Sequence, residues 1–307
     1  MRLEKSTNRS VWFGAIMFYV RYDFVCIILI FGEVVLSYLN DNFYKTVERL
    51  KVTGMGTEHV AVFLYSLIRM LRPKNVLEVG LGYTSPFMAQ ALKHNIEEVN
   101  GDKQILEGNI EDEERKFLLN NNFFRDEYKP RLIAIDDYSI EGTSAPKVLE
   151  ALEILGLDSL VEVCVSDFRG YSKQINKSFL PLDLVWFDCG GKHEYIDFLH
   201  EYWDLINPNH GHLLLHYTYW DAETLKKNPG QKEIVLSCIA NEIKRQQLKA
   251  GVMSEFEVLS LLEPHKTRQG SVTMIRRLPW NSRCRDVNFQ KEIKQVTGEE
   301  CRQMRKL

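Results

Sequence analysis

The chain has 307 residues, of which 45% are hydrophobic and 11% aromatic, enough to bury one large α/β core or two small ones. Its net charge of −3 is spread along the sequence, so we expect no nucleic-acid partner. The six cysteines form no C-x-x-C pair, which argues against a structural zinc site and is typical of reduced thiols in the cytoplasm.

The N-terminal region is strongly apolar over residues 11–39. Arg21, Asp23 and Glu33 divide it into runs shorter than the roughly 18–20 residues of a membrane span. We therefore predict buried or dimer-forming helices in an extension over residues 1–54, and a homodimer without stable membrane insertion. Membrane association remains the alternative interpretation.

The first strand–turn–helix unit begins after a helix predicted at 57–72. The apolar run 75–79 predicts a buried strand, and the glycine turn follows it at once. Ser85 is a good N-cap and Pro86 a good first residue for a helix that continues to about residue 94.

The rest of the chain alternates strands with helices. Strands are predicted at 131–136, 160–165, 182–187 and 212–216, helices at 147–155, 195–205 and 231–248, and a final hairpin at 256–262 and 271–276. This alternation predicts an α/β fold: a Rossmann-like, doubly wound, mostly parallel seven-stranded sheet with an antiparallel C-terminal hairpin. The sheet would occupy residues 55–280, with a polar insertion at 95–130 and a tail at 281–307.

The turn after the first strand is the first candidate site. Gly80-x-Gly82 alone is weak evidence, because many such turns are only structural. Glu78 sits two residues before it and suits a cation better than a pyrophosphate. The third glycine of the dinucleotide fingerprint is missing. Later strands also end in carboxylates, at Asp136 with Asp137, at Asp167 and at Asp188.

These motifs resemble the class I S-adenosylmethionine-dependent methyltransferases over roughly residues 55–278. The resemblance rests on VLEVGLG at 76–82, Ile135-Asp136, Ser166-Asp167-Phe168 and Asp188-Cys189-Gly190-Gly191. It implies S-adenosyl-L-methionine as the cofactor. It also implies that Glu78 and Gly80 meet the methionine part, Asp136 the ribose, and Asp167 and Phe168 the adenine.

Further cofactor contacts are expected near the same turn. The additional candidates are Gly82, Tyr83, Thr84, Ser85, Asp188 and Met55. The second strand comes unusually late after the glycine turn, so Asp102 and Asp137 remain rival ribose acids.

The acceptor side, residues 183–220, resembles the catechol-type O-methyltransferase branch. There Asp188 takes the place of a metal-binding aspartate, but His216-Tyr217-Thr218 replaces the Asp-Asn pair that completes the metal site. We therefore predict no catalytic metal. His216 or His193 could serve as the base, with Asp188 as a further catalytic candidate; simple packing or surface roles are the alternatives.

Two further groups could shape the acceptor pocket. Tyr217, Tyr219 and Trp220 would either line it or belong to the core. His265, Lys266 and Arg268 in the hairpin turn would either bind an acidic acceptor or face solvent.

The sequence thus predicts a cytoplasmic enzyme of specialised metabolism that methylates an oxygen of a small-molecule or peptide-derived acceptor. A nitrogen acceptor is the nearest alternative. A nicotinamide-dependent oxidoreductase and a membrane-associated scaffold are alternatives from other classes.

Overall fold

The computed structural model describes residues 39–189, 192–218, 238–266 and 269–279. The described residues from 41 onward belong to one compact unit. Residues 11–38 of the apolar segment and the tail 281–307 lie outside the described residues. The predictions made for them therefore stay predictions. No helix in the described part of the chain is long and apolar enough to cross a bilayer.

Helices and strands alternate through most of the chain. The helices are α1 Asp41–Glu48, α2 Glu58–Leu71, α3 Ser85–Leu106, α4 Glu113–Leu118, α5 Ala145–Leu155, α6 Lys192–Tyr202 and α7 Cys238–Ala250. The strands are β1 Asn75–Val79, β2 Arg131–Asp136, β3 Val161–Val165, β4 Leu184–Phe187, β5 His212–His216, β6 Phe256–Leu262 and β7 Ser271–Arg277.

The strands form one seven-stranded sheet in the order β3-β2-β1-β4-β5-β7-β6. β1 to β5 are parallel, whereas β7 runs antiparallel to both β5 and β6. The predicted fold class is therefore confirmed. The chain order reverses between β1 and β4, the topological switch point at which open α/β sheets bind ligands.

The central strands are apolar on both faces because helices cover both sides. All four residues of β4 are buried, and Trp186 and Phe187 are fully buried on opposite faces of it. Such packing holds the carboxyl ends of β1 and β4 in a fixed relation, which positions the site described below.

Helix α3 is longer than the sequence predicts. It continues through residues 95–106, which the polar composition placed in an insertion. The reason is amphipathicity: Asn95, Val99, Asp102 and Ile105 are buried on its inner face, while Glu97, Asn100 and Gln104 are exposed. Ser85 is the first helical residue rather than the cap, a place taken by Thr84.

Candidate active site

The loops that follow β1 to β4 line a cavity of about 290 Å³ at the carboxyl edge of the sheet. It gathers most of the predicted cofactor residues, namely Met55, Gly80, Gly82, Tyr83, Thr84, Asp136, Asp137, Asp167, Phe168 and Asp188. Glu78 and Ser85 are fully buried beneath the turn that forms its wall. The size and concavity of the cavity suit a small organic ligand.

Gly80 lies where the chain segments after β1 and β4 touch. Its φ is +100°, and a Cβ atom there would stand 2.2 Å from the carbonyl oxygen of Asp188. Only glycine fits this position without displacing backbone. Gly82 is different, because a Cβ atom would meet only the Ser144 hydroxyl, at 3.6 Å.

Glu78 is a buried carboxyl group with an incomplete set of partners. Its Oε1 accepts a hydrogen bond from the Thr84 hydroxyl at 2.6 Å, whereas its Oε2 has no partner among the described residues. Burial raises the pKa of Glu78 to about 8, against the opposing effect of the Ser85 and Thr84 hydroxyls. A buried carboxylate in this position needs a cation beside it.

The Asp136 carboxylate stabilises the glycine turn through hydrogen bonds. Its Oδ2 accepts from the backbone N–H of Leu81 at 2.8 Å, and its Oδ1 accepts from Tyr138 at 2.7 Å. Burial raises the pKa of this half-buried carboxyl group, and the two backbone N–H groups oppose the rise. Asp137, the next residue, is exposed and accepts from the Ser139 N–H.

The rival ribose acid Asp102 lies elsewhere. It is buried on α3, and its carboxylate pairs with Arg72 and Arg115 rather than lining the cavity. Asp102 ties α3 to its neighbouring helices, so the structure does not support it as a ribose ligand.

At the end of β3, Asp167 and Phe168 form the opposite wall. Phe168 is buried, and the Arg169 guanidinium lies 4.7 Å over its ring. The same guanidinium bonds to Asp197 at 2.8 Å, and its charge is shared with Asp167 and Glu194.

The described lining is predominantly acidic. The carboxylates are Glu58, Asp136, Asp137, Asp167, Asp188 and Glu194. The basic residues are Arg169, engaged as above, and Lys51, which bonds to Glu48 at 2.6 Å. This charge balance favours a cationic ligand and disfavours a pyrophosphate.

His216 at the end of β5 is fixed between two acceptors. Its Nδ1 lies 2.6 Å from Asp188 Oδ1 and its Nε2 lies 3.0 Å from the Gln269 carbonyl oxygen. Burial lowers the pKa of His216, but the Asp188 charge and hydrogen bond, together with the Gln269 carbonyl, raise it overall. The Gln269 carbonyl can only accept, so Nε2 donates to it, while Nδ1 faces the Asp188 carboxylate. The role of His216 as a base stays a prediction.

Several acceptor-side predictions fall outside the described residues. These are the side chain of His193, together with Tyr219, Trp220 and Arg268. Lys266 has partners within the protein: its ammonium donates to the Gly56 carbonyl at 2.6 Å and pairs with Glu58 and Glu263.

The sequence did not predict two contributions to the site. Gln269 lines the cavity and supplies the carbonyl that holds His216, yet a backbone acceptor in a turn leaves no side-chain signal. Leu50 and Val52 line the cavity from the loop before α2. Only the apolar character of that loop could have indicated them.

Comparison with known proteins establishes the fold. No protein-family model matches the chain, and no curated protein does. Among solved structures, the O-methyltransferase from Bacillus cereus in complex with SAH is 15% identical, with a TM-score of 0.50 over 81% of this chain and 93% of that one. The fold is that of the class I S-adenosylmethionine-dependent methyltransferases.

A second similar structure is TomG from Streptomyces achromogenes, an O-methyltransferase of tomaymycin synthesis in complex with SAM. It is 16% identical and covers 78% of this chain and 91% of its own, with a TM-score of 0.49. At such identities, what the protein does has to be argued from its own site residues.

Proposed function

We propose that this protein is an S-adenosyl-L-methionine-dependent methyltransferase that methylates an oxygen of a small-molecule or peptide-derived acceptor. The observation that carries the proposal is Glu78: a fully buried carboxyl group, with one oxygen lacking a partner among the described residues, beneath an acidic cavity at the switch point of the sheet. S-Adenosylmethionine carries an ammonium and a sulfonium, and both suit such surroundings.

The residues gathered around the cavity fit this ligand in the order that the resemblance implies. Glu78 and the Gly80 turn would hold the methionine part, and Asp136 the ribose, with the exposed Asp137 as the alternative. Asp167 and the ring of Phe168 would hold the adenine. Asp136 has lone pairs left for this role, because each of its oxygens accepts one backbone hydrogen bond.

The remaining predicted contacts complete the pocket. Gly82, Tyr83, Thr84 and Ser85 belong to the turn around the methionine part, and Met55 enters from the loop before α2. Tyr83, half-buried in the wall, also packs against Phe87 of α3 at 5.2 Å between ring centroids.

When bound, the cofactor supplies an electrophilic methyl group. A carbon–oxygen bond forms as the carbon–sulfur bond breaks, and the acceptor gives up its hydroxyl proton. The protein has to hold the two groups in line and to receive that proton.

Asp188 is the described residue best suited to receive the proton. Its carboxylate lines the cavity, and Oδ1 is held by His216 Nδ1 at 2.6 Å while Oδ2 has no hydrogen-bond partner among the described residues. His216 would thus act through Asp188 by orienting its carboxylate. The same arrangement would serve a nitrogen acceptor, which therefore stays the nearest alternative.

The homodimer, the cytoplasmic location and the role in specialised metabolism are part of the same proposal. The dimer rests on the apolar residues 11–39, and light scattering of the full chain would test it. A strictly monomeric profile would contradict it.

The test of cofactor class is ligand-dependent thermal stability. A ligand that binds only the folded state at a hundredfold excess over its Kd stabilises it by about 2.7 kcal/mol. S-Adenosylhomocysteine should raise the melting temperature, whereas NAD and NADP should not. If only a nicotinamide dinucleotide raises it, the proposal fails and the oxidoreductase alternative takes its place.

A further inference from the structure

A cluster of two histidines and a glutamate lies beside the cavity, where the β6–β7 turn meets the start of α2. His59 is in the first turn of α2, and Glu263 and His265 are in the turn between β6 and β7. Their nearest ligand atoms all lie within 4.8 Å of one another. His59 is 204 positions from Glu263 in sequence, so only the fold brings it to the two residues of the turn.

We infer that His59, Glu263 and His265 form a binding site for a divalent transition-metal ion, with Zn²⁺ as the preferred ion. Two imidazole nitrogens and one carboxylate oxygen are a common set of zinc ligands, and they leave a fourth position for water. The site is separate from Asp188, where the catechol-type branch binds its metal, and it does not depend on the proposed methyl transfer.

The distances are compatible with an ion after small side-chain movements. His59 Nδ1 lies 2.5 Å and His265 Nε2 lies 3.6 Å from Glu263 Oε2. In a tetrahedral zinc site the ligand atoms stand about 3.3 Å apart. The side chains of His59 and His265 are 64% and 59% exposed, so both rings can rotate to that spacing without disturbing the core.

The carboxylate is already held in place. Glu263 has a side chain only 17% exposed, and the Lys266 ammonium lies 3.1 Å from its Oε1 and 2.9 Å from its Oε2. A carboxylate has two oxygens with about four acceptor positions. Lys266 would therefore keep its contact to Oε1 and give up the one to Oε2, where the ion would also replace the hydrogen bond to His59.

The bound ion would fasten two elements that form the rim of the cavity. Lys266 of the same turn donates to the carbonyl of Gly56, and Gly56 and Gln269 both line the cavity. An ion between His59 and the hairpin turn would add a second link at the same place.

The experiment is a titration of Zn²⁺ into the full chain without an affinity tag, followed by calorimetry. The variants are His59→Ala, His265→Ala and the control His210→Ala. His210 is a matched control because it is 67% exposed and lies 3.5 Å from a carboxylate, that of Asp183. We expect one ion per chain, at least tenfold weaker binding in each of the first two variants, and unchanged binding in the control.

Two readouts separate a built site from other modes of binding. Zn²⁺ should raise the melting temperature of the wild type but not of the His59→Ala, His265→Ala double variant. Co²⁺ in place of Zn²⁺ should show the visible bands of a site with nitrogen and oxygen ligands. Equal affinities in all variants would indicate an adventitious ion only, and a cobalt–thiolate band would place the ion on cysteine; either result overturns the inference.

Discussion

Replacing Glu78 with glutamine should remove a pH dependence from cofactor binding. The pKa of Glu78 is about 8 without ligand, so the carboxyl group is about 1% ionised at pH 6, about 9% at pH 7 and about 50% at pH 8. Only the ionised form pairs with the ammonium of the cofactor. An apparent Kd equals the intrinsic Kd divided by the competent fraction, so the Kd for S-adenosylhomocysteine should fall about fiftyfold from pH 6 to pH 8.

The assay is calorimetry at three pH values in two buffers with different ionisation enthalpies. Wild-type protein should release about 0.9 proton per ligand bound at pH 7, because the carboxyl group goes from mostly protonated to ionised. The Glu78→Gln variant should release none from this site and should bind more weakly at pH 8. Asp137→Asn is the matched control: the Ser139 hydrogen bonds hold the pKa of Asp137 low, so this variant should keep the pH slope.

Stability of the ligand-free protein gives a second measure of the same group. The folded pKa of about 8 lies above the ordinary value of 4.5, so between these values the folded state binds a proton that the unfolded state has lost. The free energy of unfolding should therefore fall as pH rises through this window, by at most about 1.4 kcal/mol per pH unit from this group. A flat binding profile in the wild type, or an unchanged slope in Glu78→Gln, would refute the reasoning.

Two more predictions concern the glycine turn and the His216 pair. Gly80→Ala should lower stability by about 3 kcal/mol, because a positive φ and an overlap with the Asp188 carbonyl act together; thermal denaturation should show a loss of about 6–12 °C. Gly82→Ala, with only an ordinary contact to Ser144, should lose less than about 1 kcal/mol, and equal losses in both variants would contradict this account. Asp188→Asn should lower the pKa of His216, because burial then meets less opposition; a nitrogen chemical-shift titration would show it, and an unchanged titration would mean that Asp188 does not hold the proton. Because the folded pKa of His216 is raised, its contribution to stability is complete below pH 6.5 and is lost as pH rises through the folded pKa.

The sheet and the location of the site follow from local sequence patterns. Each central strand is a short apolar run that ends in a polar or acidic residue, and parallel strands place those ends along one edge. That is why Glu78, Asp136, Asp167 and Asp188 could be expected near one another before the structure was known. The predicted N-terminal boundary of α3 differs from the observed one by one residue, a normal uncertainty at helix ends.

Properties that depend on distant backbone atoms could not be predicted. The hydrogen bond of His216 Nε2 depends on the carbonyl of Gln269, 53 residues away, and a carbonyl is present at every position. The cluster of His59, Glu263 and His265 likewise has no spacing motif, because α2 and the hairpin meet only through the packing of the sheet. Composition also misled the interpretation of residues 95–106, where polar side chains are the outer face of a helix.

The contact between Gly80 and the Asp188 carbonyl limits how this site can diversify. The two strand ends touch through backbone alone, so neither can shift to admit a larger ligand without moving the other. The backbone on the proposed cofactor side of the cavity therefore keeps one geometry. A new acceptor preference has to come from side chains on loops that the sheet does not hold so closely, such as Leu50, Val52 and Ile140, which line the cavity. Under the proposed function, cofactor binding and acceptor selectivity therefore depend on separate parts of the chain and can change independently.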